Sequence, residues 1–153
     1  MDIRSKGKYP SNALSNFSPH PFVLDEVEIN SLEGFLQGLK FKSVEMQAEV
    51  CKLVGFGAKK KGSNKKWFKT QTLYWRGVEI KRESDEYQEL LDRAYNACYE
   101  QSDSFRRALA ASVGATLTHS MGKNKKSETV LTTQEFCSRL MILRDNGVIE
   151  RKK

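Results

Sequence analysis

Along this chain, runs with apolar residues every third or fourth position alternate with short stretches in which every second position is apolar. The first kind predicts helices packed by one face, the second strands. Asn30 to Phe41 is the most informative helical run: at about 100° per residue, Leu32, Phe35, Leu36 and Leu39 form one stripe. Glu33, Gln37 and Lys40 gather roughly 110° away, bordering the buried face. Gly34 and Gly38 leave a third face bare, which suits close approach of another backbone or a ligand.

Residues 4–24 are a loop holding all three prolines, Pro10, Pro19 and Pro21, which exclude helix, and end in a strand at Phe22-Val-Leu24. Asp25 to Ile29 predicts a turn and a second strand. Ser43 caps a helix with Val44, Ala48, Cys51 and Val54 inward, stopped by Gly55 and Gly57. A basic loop follows, then Trp67 to Trp75, turned by Arg76-Gly77 into Val78-Glu-Ile80. Ser84 opens a long helix with Tyr87, Leu90, Leu91, Ala94 and Cys98 inward. Another follows with Phe105, Ala108, Leu109 and Ser112 on one face and stops at Gly114. Ala115 to Ser120 alternates like a strand. Thr132 and Glu135 form a capping box for a last helix with Phe136, Leu140 and Leu143 inward, ended by Asn146-Gly147. Residues 148–153 are expected to fray. The pattern predicts an α+β fold, one compact domain over residues 1–153, mainly α-helical with short strands or hairpins.

Composition narrows the class. With 39% hydrophobic and 29% charged residues the chain reads as globular, and no apolar run approaches the ~20 residues that cross a bilayer. No signal-peptide core precedes the first polar residues, so a cytoplasmic protein without membrane contact is expected. Cys51, Cys98 and Cys137 are odd in number and sit inside helical patterns, which reads as reduced core thiols. No metal site or cofactor is expected. The formal charge of +7 is concentrated in Lys59 to Lys66, Lys123 to Lys126 and Arg151 to Lys153. Such clusters attract phosphates or simply solvate loops.

No general nucleotide, zinc or nucleophile-elbow motif is present, so candidate chemistry rests on constellations. Two readings fit Glu33, Gln37 and Lys40. One is an acid or base, an orienting amide and an amine nucleophile on one helix face. The other is a capping-box glutamate begun by Asn30, a surface amide and a cation at a helix C-terminus. Trp67, beside the lysines, is either a base-stacking platform or a core residue.

Ser15-Asn-Phe-Ser-Pro-His-Pro-Phe22, followed by Ser31-Leu-Glu-Gly-Phe-Leu-Gln-Gly-Leu-Lys-Phe41, resembles the NADAR (YbiA-like) family, with its Ser-Asn-Phe element and later Glu, Gln and Lys-Phe element. Trp67, Phe105 to Leu109, Thr116 to His119 and Leu140 to Arg144 fit the resemblance in order. Where the better-known branch has a Trp-Gly-rich loop, this chain has His119 to Thr129. The resemblance implies an N-glycosidase that cleaves ribose-linked substrates, such as ADP-ribose on modified guanine or phosphorylated riboflavin-pathway intermediates. It implies Glu33 and Lys40 as catalytic residues. Around them it implies Ser15, Asn16, Phe17, Gln37, Trp67 and His119 as substrate contacts. The partner would be a small ADP-ribosyl or phosphoribosyl molecule or an ADP-ribosylated nucleic acid. The alternatives are a non-catalytic ADP-ribose or nucleotide-binding module and a basic nucleic-acid-binding protein. Oligomeric state is left open.

Overall fold

A computed structural model of the chain describes residues 1–151. Its N-terminal segment carries a short helix, α1 (Ser11–Leu14), where the three prolines were expected to exclude helix. Pro10 stands just ahead of it, where its missing N–H costs nothing, and its carbonyl accepts from Ala13 and Leu14 (both 3.0 Å). The first hairpin joins β1 (Pro19–Leu24) to β2 (Val27–Ser31) in antiparallel register, Phe22 opposite Ile29 and Leu24 opposite Val27. Its two turn residues, Asp25 and Glu26, both have positive φ (49° and 68°), the geometry of a tight two-residue hairpin.

The hairpin runs directly into α2 (Leu32–Gly38), the predicted polar-triad helix. Leu32, Phe35, Leu36 and Leu39 are all buried. Ser31, rather than Asn30, is the cap: its hydroxyl accepts from Gly34 N–H (2.9 Å) and donates to Leu53 O (2.9 Å). Glu33 is thereby left out of any capping box. The next helix, α3 (Val44–Cys51), is capped by Ser43 as expected, but Gln47, Val50 and Cys51 form its inner face while Val44 and Val54 are exposed. The bare face of α2 meets this helix: a Cβ on Gly34 would lie 2.6 Å from Leu53 O, and one on Gly38 would lie 2.9 Å from Cys51 Sγ.

The expected basic loop is partly a helix, α4 (Gly55–Gly62), packed against α2. Gly55 starts it from positive φ (52°) instead of stopping α3, and Lys59, Lys60 and Lys61 fill its last turn, where cations suit the helix dipole. After a single 3-10 turn, Trp67–Lys69, a second antiparallel hairpin pairs β3 (Thr72–Trp75) with β4 (Val78–Lys81).

Helix α5 (Asp85–Gln101) buries Tyr87, Leu90, Leu91, Ala94 and Cys98 as expected, with Ser84 as cap. It continues through α6 (Asp103–Ala111). Residues 115–120 do not form a strand. They make one parallel bridge, Asp2 to Thr118, and hold the N-terminus through Ile3 N to Thr118 O (2.8 Å) and the Met1 amino group to Thr116 O (2.7 Å). Helix α7 (Thr133–Asn146) begins with the predicted capping box and ends at Gly147. The tail expected to fray is instead docked up to residue 151. Ile149 is buried and exchanges two hydrogen bonds with the Asn96 amide, and the Arg151 guanidinium pairs with Asp92. Residues 152 and 153 lie outside the described residues. One hydrophobic cluster joins both hairpins to α2, α5, α6 and α7, and Cys51, Cys98 and Cys137 lie in it as free thiols. Among the described residues no helix is long and apolar enough to cross a membrane.

Candidate active site

The polar side of α2 faces the loop that precedes β1. Glu33 N–H donates to Asn16 O (2.9 Å), so the first turn of α2 is tied to the backbone of Ser15 to Phe17. Ser15 is buried and its hydroxyl accepts from Phe17 N–H (3.2 Å), which shapes the loop. Asn16 is oriented by a residue of α5 that the sequence pattern did not single out. Tyr95, fully buried, donates its hydroxyl to Asn16 Oδ1 (2.9 Å), leaving the Asn16 amide N–H₂ without a hydrogen-bond partner among the described residues. Phe17 packs edge-on against exposed Phe56 of α4, with ring centroids 6.3 Å apart.

Glu33 and Gln37, four residues apart, meet on the helix surface: Gln37 Nε2 donates to Glu33 Oε2 (2.6 Å). Burial pushes the Glu33 carboxyl above its ordinary range, opposed first by that hydrogen bond and then by the nearby charges of Lys40 and Lys59. Lys40 follows the helix end, its N–H bonded to Gln37 O (3.1 Å). Burial pushes its ammonium below the ordinary lysine range. Glu33 pulls it back, and Lys123 and Lys59 lower it further. Among the described residues Lys40 joins no ion pair, so its amine and the Glu33 carboxyl remain separate groups.

Lys59 and Lys123 come from α4 and from the segment before α7. These two lysines, far apart in sequence, thus both act on the Lys40 ammonium. His119 arrives with Lys123 on one turn, closed by Gly122 N–H to His119 O (3.0 Å). Trp67 does not join the group: it is 8% exposed, packed in the core cluster, while its neighbour Phe68 is exposed. The aromatic reading of that position therefore falls to the core.

Gly62 is a positioning feature without a sequence signature. Any Cβ there would collide with Gln37 Oε1, a buried oxygen with no hydrogen-bond partner among the described residues. Gly62→Ala should raise helix propensity yet destabilise the protein by roughly 1–3 kcal/mol through overpacking. Adding Gln37→Ala should restore most of the loss in urea unfolding. A Gly62→Ala protein as stable as its parent would remove this contact from the account.

Two open surface clefts lie beside rather than on this cluster. One, about 340 Å³, is floored by Trp75, Ile80 and Leu90, and its Asp25 is already held by Arg93 (2.7 and 2.8 Å) and by the Trp75 indole (2.8 Å). The other, about 400 Å³, runs from Tyr9 and Asn12 to Phe17 and shares that ring with the candidate site. The chemistry favours the Glu33–Lys40 cluster, where two half-buried titratable groups are displaced in opposite directions. Among the described residues no three His, Cys, Asp or Glu side chains converge as metal ligands.

A family model described as bacteriophage protein GP30.3 matches residues 8–145. A relative from Enterobacteria phage T4, titled "Uncharacterized 17.1 kDa protein in Gp30-rIII intergenic region", is 42% identical over 150 residues, covering 95% of this chain and 97% of its own. Among solved structures, the NMR structure of the E. coli protein YbiA matches with a TM-score of 0.62 at 18% identity. That match covers 95% of this chain and 82% of YbiA, a likeness of fold.

Proposed function

The chain belongs to the bacteriophage protein GP30.3 family and shares the YbiA fold, and we propose on that footing that it is an N-glycosidase acting on an ADP-ribosyl or phosphoribosyl substrate. The observation that carries this reading is the pairing, along one flank of α2, of a half-buried carboxyl that holds its proton more tightly than usual with a half-buried lysine that holds its proton less tightly, unlinked by an ion pair among the described residues. Breaking an N-glycosidic bond needs a proton for the leaving nitrogen and a partner for the electron-poor anomeric carbon. Gln37 occupies Glu33 Oε2, leaving Oε1 to carry the proton.

In the proposed sequence the Lys40 amine bonds to the anomeric carbon. The glycosidic bond breaks with its electron pair moving to the base nitrogen, which takes the proton of Glu33. The ribose ring opens as its oxygen takes a proton from Nζ, leaving a protonated imine. Water then adds to the imine carbon and returns a proton to Glu33, and collapse releases sugar and Lys40. Asn16 offers its amide N–H₂ to the substrate, Phe17 stacks on the base, and Lys59 and Lys123 meet the phosphates.

The test is product analysis by mass spectrometry with ADP-ribosylated guanine, NAD and a phosphoribosyl pyrimidine side by side. Release of free base from at least one supports the reading, and intact substrates throughout reject it. Tight binding of ADP-ribose without any product would favour a non-catalytic module instead. Borohydride added during turnover should tether one sugar to Lys40, and turnover without any tethered peptide would exclude the imine.

A further inference from the structure

His119 is held on several sides. Its Nδ1 lies 2.8 Å from Ile3 O, its ring stands edge-on to Phe136 with centroids 5.3 Å apart, and a Cβ on Gly122 would come within 2.7 Å of Cδ2. Its own carbonyl accepts from Gly122 N–H (3.0 Å) and from the Thr133 hydroxyl (3.3 Å). The Lys123 carbonyl, four residues on, accepts from Thr133 N–H (3.0 Å), fastening the turn to the start of α7. A backbone carbonyl can only accept, so Nδ1 must carry the proton. In the neutral ring that leaves Nε2 bare, an acceptor, and among the described residues it hydrogen-bonds to nothing.

We propose that His119 Nε2 accepts a hydrogen bond from a hydroxyl of the ribose whose glycosidic bond is cleaved, so that His119 makes the site selective for ribose over its deoxy forms. The inference rests on the N-glycosidase reading of the same site. A bare ring nitrogen rejects a phosphate, whose oxygens are also acceptors, and Lys59 and Lys123 already offer cations for that group. Within the proposed substrate, ribose hydroxyls are the donors nearest the bond being broken. The Phe136 ring that His119 packs against lies 6.4 Å from the ring of Tyr95, which in turn holds Asn16, so one packed chain ties His119 to the Asn16 loop at that end of the substrate. A phosphate role for His119 would require donors on both nitrogens.

The test is calorimetric binding of ADP-ribose and of the two analogues that each lack one hydroxyl of its terminal ribose, with ribose 5-phosphate as the phosphoribosyl probe. The expected result is an affinity about tenfold weaker for one deoxy analogue, as an acceptor is left unpaired. His119→Asn keeps an amide near Nδ1 but nothing at Nε2, and should bind ADP-ribose about tenfold more weakly with no remaining preference between analogues. His119→Gln, which can place an amide oxygen near Nε2, should recover part of that preference. Equal affinity of the parent protein for all three ADP-ribose ligands, or a preference that survives in His119→Asn, would overturn the inference. Nitrogen NMR of the unliganded protein decides independently of binding, because a neutral His119 protonated on Nε2 would also overturn it. If neither ADP-ribose nor ribose 5-phosphate binds at all, the N-glycosidase reading fails first, and the selectivity inference with it.

Discussion

Glu33→Gln and Lys40→Ala should each stop release of free base while leaving the fold in place. A positioned acid or base contributes about 10²–10⁴ in rate, and loss of a covalent nucleophile removes the proposed route altogether. Both variants are tolerable structurally. A glutamine at position 33 still presents an oxygen to Gln37 Nε2, and a half-buried neutral amide escapes the desolvation that raises the Glu33 carboxyl. Lys40 lies beyond the last turn of α2, its backbone bond to Gln37 O is independent of its side chain, and it joins no ion pair among the described residues. Product release measured by mass spectrometry, alongside thermal melts, separates lost chemistry from lost fold. Full turnover in both variants would sink the mechanism.

The largest effect on stability is expected at a second polar cluster, remote from α2 in the sequence. Arg82 is fully buried and its guanidinium grips Glu135 through Nη1 (3.2 Å) and Nη2 (2.6 Å), while its Nε donates to Thr129 O (2.8 Å). Gln88 Nε2 (2.7 Å) and Thr132 N–H (2.8 Å) complete the shell around Glu135. Glu135→Ala strands a buried cation and should cost about 3–5 kcal/mol in urea unfolding. Arg82→Met with Glu135→Leu should recover much of that loss, because the pair's desolvation penalty disappears with its attraction.

The same pair sets a pH dependence. Burial alone would raise the Glu135 carboxyl, but the hydrogen bonds from Arg82, Thr132 and Gln88 outweigh it and hold the group at about 2, below its ordinary 4.5. A carboxyl held lower in the folded state binds fewer protons there than in the unfolded chain. Its contribution is therefore complete above the ordinary value and is lost as pH falls from about 4.5 toward about 2. Unfolding free energy should drop through that window in the parent protein and drop less in the Arg82→Met, Glu135→Leu double variant. Parallel profiles would assign acid sensitivity to other carboxyls.

Much of the architecture was legible because its causes are local. The caps Ser43, Ser84 and Thr132 with Glu135 act within four residues, and the buried stripes of α2, α5 and α7 follow from spacing alone. Misreadings fell where one residue type serves two local purposes. Gly55 suits a stop as well as a start, and the chain uses it to begin α4, so a run of lysines became a helix end. Val44 and Val54 fit a helical stripe, yet Gln47 took the inner place because its amide can bond Gly38 O (2.9 Å) and Tyr74 O (2.8 Å). Residues 115–120 alternate like a strand, but among the described residues their only ladder partner is the chain's own start.

For the candidate site, the amino-acid sequence by itself determined that Glu33, Gln37 and Lys40 share one helix flank beside an apolar stripe, because a helix converts spacing into direction. It also determined where the cations lie along the chain. Only the tertiary structure decided that the charges of Lys59 and Lys123 both act on Lys40, that Tyr95 holds the Asn16 amide oxygen, that Ile3 fixes the His119 proton and that Trp67 belongs to the core. Each of these joins residues far apart in sequence. Local propensity is silent about such contacts, because they depend on how helices, hairpins and loops pack around one core.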